Sequence, residues 1–218
     1  MENEKRNLIF AIIIIAVGYV AMLIASIFAL GWVSATVIVF TLFSAITIYI
    51  INFKDDLLVK IFLFGIAAGI IELIFVDPWG VNTGSLVYNP GGIFLFKSPL
   101  YMPFSWAVAI WQLGFFAIYF EKKWGLLKTT IILGIVGGIN IPMYEHFAKN
   151  ANWWYYQNSP MVFNTPYYVI LSEFFISLVL PAAVLFFSKK KWYWSALTGI
   201  ALGFWMWVAG LLCYALVG

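Results

Sequence analysis

From Leu8 to Leu30 the chain runs for 23 residues without a charge. At about 1.5 Å of rise per residue, a helix of that length crosses a hydrocarbon core about 30 Å thick. The run is longer than the apolar core of a secretory signal and no cleavage site follows it, so it is expected to be a spanning helix. The rest of the chain has the same character: 64% of residues are hydrophobic, 10% are charged and mean hydropathy is +0.98. A domain so poor in polar residues cannot cover itself for life in water, so the expected solvent is the bilayer and the expected fold class is all-α.

Punctuation by polar residues predicts a single transmembrane domain over 1–218, a bundle of seven helices near 8–30, 33–51, 57–76, 99–120, 126–148, 166–187 and 193–217. The third is expected to stop at Asp77-Pro78, because proline donates no amide and disfavours helix in the residue before it. Long connections at 77–98 and 149–165 then fall on the same side. Each leads into a helix opening with proline, Pro99 or Pro166, which points to duplication of a helix-loop-helix unit. Of the 12 basic residues, all but Lys97 and Lys149 fall on the amino-terminal side. Cytoplasmic loops carry the excess of positive charge, so the amino terminus is expected inside and the carboxyl terminus outside, in a prokaryotic plasma membrane. The pairs Gly65/Gly69, Gly134/Gly138 and Gly199/Gly203 have the spacing that lets helices approach closely.

A carboxyl group within a span costs on the order of 2.5–3.5 kcal/mol at mid-helix by insertion scales, so each one needs a reason. Glu72 and Glu173 are such groups, and helical rise places them about one and about two turns from the end bearing the long loops, level with Asn140. Asp77, Glu145, His146 and Lys97 gather near that level, with Tyr88, Tyr101, Trp106, Tyr144, Trp153, Trp154, Tyr155, Tyr156, Tyr167 and Tyr168. Much of this aromatic set is what an interfacial belt requires, and a polar side chain can simply join two helices. A carboxyl group in a medium of low dielectric, however, favours its protonated form and is equipped to act as an acid, and aromatic faces stabilise cations. Such a set suits protonation of an alkene or epoxide of a lipid-soluble isoprenoid. Glu72 is the expected acid, Glu173 or Asp77 the expected base, and Tyr88, Tyr101, Trp106, Asn140, Tyr144, Glu145, Trp153 and Trp154 the expected substrate contacts.

The stretch from Glu72 to Trp106 resembles the integral-membrane carotenoid-biosynthesis proteins, which include carotenoid hydratases and small membrane lycopene cyclases. The resemblance rests on Glu72, Gly80-Val81-Asn82-Thr83-Gly84, Tyr88, Pro99, Pro103 and Trp106. Ser85-Leu86-Val87 stands where that family has a Phe-Gly pair. The resemblance implies a membrane bundle acting on a carotenoid or related isoprenoid with an inward glutamate and no redox cofactor; membrane-bound terpene cyclases are similar in helix count and in their use of acids.

Two other readings stay open from the residues alone: a small transporter or channel, and a lipid-binding protein without chemistry. Gln112 is the main polar residue in the inner halves of the helices, which makes a continuous polar path hard to draw. The seventh span has no lysine for a retinal Schiff base, and no phosphate-binding glycine loop occurs. The single cysteine, Cys213, and the lone His146 provide no recognisable metal site, so no cofactor or metal is expected. The expected partners are membrane lipid and a hydrophobic isoprenoid-like molecule, with no role for nucleic acid.

Overall fold

The computed structural model describes residues 2–218. Seven helices are long and apolar enough to cross a membrane. These are α1 (Glu2–Phe28), α2 (Gly31–Phe53), a composite third helix, α5 (Met102–Trp124), α6 (Leu126–Asn150), α7 (Tyr167–Ser188) and α8 (Trp192–Val217). The third comprises α3 (Asp56–Ile71), a π turn (Glu72–Val76) and α4 (Asp77–Asn82). At its core α3 packs on α5 and α8, and α7 on α6 and α8, around Phe64, Ile110, Trp111, Leu180, Val184 and Met206. Helices α1 and α2 lie against α6 and α5 at the side.

Asp77-Pro78 does not end the third helix, which continues to Asn82. Proline inside a helix lacks an amide hydrogen and clashes with the carbonyl four residues back. The wider π turn immediately before it relieves that conflict: the Asp77 amide bonds to the Glu72 carbonyl five residues back, and Pro78 falls in the first turn of α4, where no amide is needed. Pro99 likewise lies outside its expected helix, in a short strand, and the first turn of α5 holds Pro103 instead.

The two long loops are ordered and built alike. The first contains β1 (Leu86–Tyr88), β2 (Phe94–Leu95) and β3 (Ser98–Pro99); the second contains β4 (Trp154–Tyr156), β5 (Met161–Val162) and β6 (Thr165–Pro166). β2 pairs with β3 and β5 with β6, each across a two-residue turn with both φ angles positive, at Phe96-Lys97 and Phe163-Asn164. β1 pairs antiparallel with β4, matching Leu86 to Tyr156, Val87 to Tyr155 and Tyr88 to Trp154. Each strand thus meets the other in the pairing of a local two-fold centred on Val87 and Tyr155, and the two loops form one cap. A lysine–asparagine bond ties each hairpin turn to the helix before it, with the partners exchanged: Lys97 Nζ donates to Asn82 Oδ1 at 2.5 Å, and Lys149 Nζ to Asn164 Oδ1 at 2.8 Å. The structurally repeated units are 56–124 and 126–188, and superposing β1 on β4 makes Glu72 and Asp77 correspond to Asn140 and Glu145, and β3 on β6 makes Ser98 correspond to Thr165.

Glycine determines how closely the paired helices approach. A Cβ on Gly65 would meet the backbone of Ala107, and one on Gly69 the backbone of Pro103; Gly199 and Gly203 come as close to the backbone of α3, and Gly137 to Ser177 and the Glu173 carbonyl of α7, whereas Gly134 meets the Leu178 side chain and Gly138 only ordinary contacts. Backbone atoms cannot rotate aside, so Gly69→Ala is expected to push α3 from α5 and cost about 1–3 kcal/mol, as overpacking of a filled core does. A lowered thermal midpoint of the purified protein in detergent, with Gly138→Ala nearer wild type because a Cβ there meets only ordinary contacts, is the expected measurement.

Candidate functional site

Beneath the cap lies a cluster of four carboxyl groups contributed by three spans. Glu72 and Asp77 come from the composite third helix, Glu145 from α6 and Glu173 from α7. Glu72 is 2% exposed, Asp77 4% and Glu145 5%, while Glu173 is partly accessible. Each is close enough to feel the charge of at least one other: Glu72 that of Asp77 and Glu173, and Glu145 that of Glu173 and Asp77.

The π turn creates the first pair. In an α-helix, residues five apart lie ~140° apart around the axis and face different neighbours. The i→i+5 turn brings Asp77 back toward the face of Glu72, and the two carboxyl groups adjoin each other with the Trp106 indole beside them. Asp77 Oδ2 accepts from Tyr88 Oη at 2.5 Å and from the Ser98 hydroxyl. Burial, reinforced by Asp77 and Glu72, pushes the Tyr88 hydroxyl well above its ordinary range, so it remains a donor. Glu72 Oε2 is buried without a hydrogen-bond partner among the described residues.

The second unit lacks the π turn, and its pair separates. Asn140 Oδ1 accepts from the Tyr19 hydroxyl of α1, whereas Glu145 Oε2 accepts from Trp154 Nε1 at 2.6 Å. Aromatic rings close around both halves: Trp154 lies 6.0 Å from Tyr88 and 5.9 Å from Tyr144, measured between centroids. Tyr101 is buried near Tyr144, Asp77 and Glu72, and burial raises its hydroxyl far above the ordinary range. Tyr88, Tyr144, Tyr156 and Glu173 keep part of their surface accessible.

Not every expected site residue joins this cluster. The Trp153 indole turns to the start of α2 and donates to Ser34 Oγ at 2.9 Å, a packing role. Asn140 is engaged by Tyr19. His146 is exposed and bridges Asn150 and Asn164, and Lys97 is exposed on Asn82, both outside the carboxyl cluster. Ser98, Ser85 and Thr165 were not expected; Ser85 bonds the Tyr168 hydroxyl at 2.7 Å. The available signal was the hydroxyl–proline pair, Ser98-Pro99 and Thr165-Pro166, before each returning helix.

At the opposite end two clefts of about 270 and 310 Å³ are lined by Glu4, Asn7, Asp55, Tyr119 and Lys122, among others. Their carboxylates already have structural tasks. Asp55 caps α3 through the Leu57 and Leu58 amides and accepts from Asn7, and Glu4 pairs with Lys122 at 3.5 Å. Among the described residues no group of three or more His, Cys, Asp or Glu is arranged to hold a metal ion.

The family model described as a domain of unknown function, DUF6989, matches residues 74–217, more than half of the chain. The chain belongs to that family. The matched DUF6989 region includes Asp77, both loops, Glu145 and Glu173, and begins two residues after Glu72. No curated protein and no solved structure matches the chain.

Trp154→Phe leaves a buried Glu145 acceptor without its donor and is expected to cost about 1–3 kcal/mol. In the Glu145→Leu background the same change is expected to cost much less, because the acceptor is gone. Thermal denaturation of the four proteins in detergent measures the coupling.

Proposed function

We propose that this chain is an integral membrane enzyme that modifies an isoprenoid or carotenoid by proton-initiated cyclisation or hydration. The observation that carries the proposal is Glu72, whose carboxyl lies beside Asp77 with one oxygen buried and free of protein partners. A buried oxygen without a partner costs stability, and a reaction that uses it is a reason to keep it. The resemblance of Glu72 to Trp106 to carotenoid-biosynthesis membrane proteins supports the same chemistry.

In this reading Glu72 adds its proton to a carbon–carbon double bond or an epoxide oxygen. The cation that results lies against the faces of Trp106, Tyr88, Tyr101, Tyr144 and Trp154. For a cyclase, a second double bond attacks the cation, and loss of a neighbouring C–H proton to Asp77 or Glu173 restores the alkene, a net isomerisation. For a hydratase, water attacks and gives up its proton to the same base, a net addition of water. Because Asp77 adjoins Glu72, a proton collected there can return to the acid and close the cycle.

Glu72→Gln keeps the shape and removes the acidic proton, so conversion is expected to fall by about 10²–10⁴-fold, the usual value of general acid catalysis. Mass spectrometry of lipids from cells that make linear polyprenoids or carotenoids measures it. Solute flux through liposomes that depends on Glu72, with lipids unchanged, would establish transport instead.

The bias of basic residues supports an amino terminus in the cytoplasm and the cap outside, in a prokaryotic plasma membrane. In a Cys213→Ala background, Lys54→Cys is expected to react with impermeant thiol reagents only from the cytoplasmic side and Asn158→Cys only from the other. The reverse pattern would place the cap inside.

A further inference from the structure

The two duplicated halves carry the same kinds of side chain at related positions but differ in how far these groups satisfy one another. In the first half Tyr88 and Ser98 both donate to Asp77, and Glu72 adjoins it. The related groups in the second half are Tyr156, Thr165 and Glu145. β6, which carries Thr165, packs on α6, which carries Glu145, much as β3 packs on the π turn. Glu145 accepts only from Trp154 among the described residues. Thr165 is fully buried, and its hydroxyl has no partner among the described residues. The Tyr156 hydroxyl makes no hydrogen bond among the described residues and lies within electrostatic reach of Glu145. Burial, with Glu145 next in effect, holds that hydroxyl well above its ordinary range, so it is an O–H donor.

Without a π turn, α6 does not draw Glu145 toward a second polar group of its own helix, and Trp154, at the position related to Leu86, takes the carboxyl oxygen instead. Three groups with spare hydrogen-bonding capacity are left under the cap. A buried site of this kind suits one small molecule that both donates and accepts.

We infer that the second half-site, Glu145 with Thr165 and Tyr156, binds a single hydroxyl oxygen, either that of water or that of an alcohol on the substrate. Thr165 is a binding residue for that oxygen, and Glu145 is placed to accept a hydrogen bond from it. If the cluster works as proposed above, this half supplies the oxygen of a hydration, or senses an oxygen the substrate already carries, while the Glu72 half supplies the proton. The binding claim stands apart from catalysis.

A high-resolution structure of the wild-type protein in lipid nanodiscs is expected to contain one oxygen within hydrogen-bond distance of Thr165 Oγ1 and the Glu145 carboxyl. Thr165→Val is expected to lose it and Thr165→Ser to keep it. Thr165 paired with a protein group, the space filled by side chains, or an oxygen that persists in Thr165→Val would overturn the inference. An oxygen bound without added substrate and carried into product from isotopically labelled water identifies water; one that enters only with a hydroxylated isoprenoid identifies the substrate's alcohol. If no isoprenoid is converted at all, the enzyme proposal falls while the bound oxygen still decides this one.

Discussion

Pro78 has no amide hydrogen to offer the helix that contains it, and the rest of the site follows from how the chain absorbs that loss. The π turn from Glu72 to Val76 widens the helix ahead of the proline, so the span continues to Asn82. The same widening returns Asp77 toward the face of Glu72. A regular helix would have aimed the two carboxyl groups at different neighbours, as happens to Asn140 and Glu145 in the related unit. One local accommodation thus distinguishes a paired acid from a separated one.

Burying such groups is tolerable only if the surroundings furnish hydrogen bonds, because lipid furnishes none. The loops perform that task. β1 and β4 join the two connections into a single cap, and from it Tyr88 and Ser98 reach Asp77 while Trp154 reaches Glu145. The cap and the carboxyl groups therefore depend on each other. Without the loops the carboxyl groups would be buried and unpaired, and without the carboxyl groups the inward hydroxyls and indole would be.

The repeat of the loop structure explains why the cap pairs as it does. Two like loops meeting about a local two-fold satisfy each other's strand edges, and the exchange of lysine and asparagine between the two hairpin ties keeps the bond while altering which element carries the charge. Like folds with unlike side chains then let the halves diverge in chemistry. The first gives Asp77 two hydroxyl donors, and the second keeps Thr165 buried without a partner among the described residues.

The sequence by itself determined the seven apolar helices, their approximate limits and the end at which the polar residues collect, because length and hydropathy suffice to decide what can cross a membrane. Helical rise alone placed Glu72, Glu173 and Asn140 at one depth. The glycine pairs Gly65/Gly69 and Gly199/Gly203 were legible too, since close backbone approach demands small residues, whereas in α6 the tight position is Gly137 and not Gly134/Gly138. Only the tertiary structure decided that Pro78 lies within a helix, that the loops form one ladder, that Trp153 packs on α2 while Trp154 serves Glu145, and that Asn140 belongs to Tyr19. Each of these turns on an angle around a helix or a pairing between residues far apart in the chain. Periodicity along the sequence encodes depth and face for a regular helix, but it carries no record of a π turn or of which loop strand meets which.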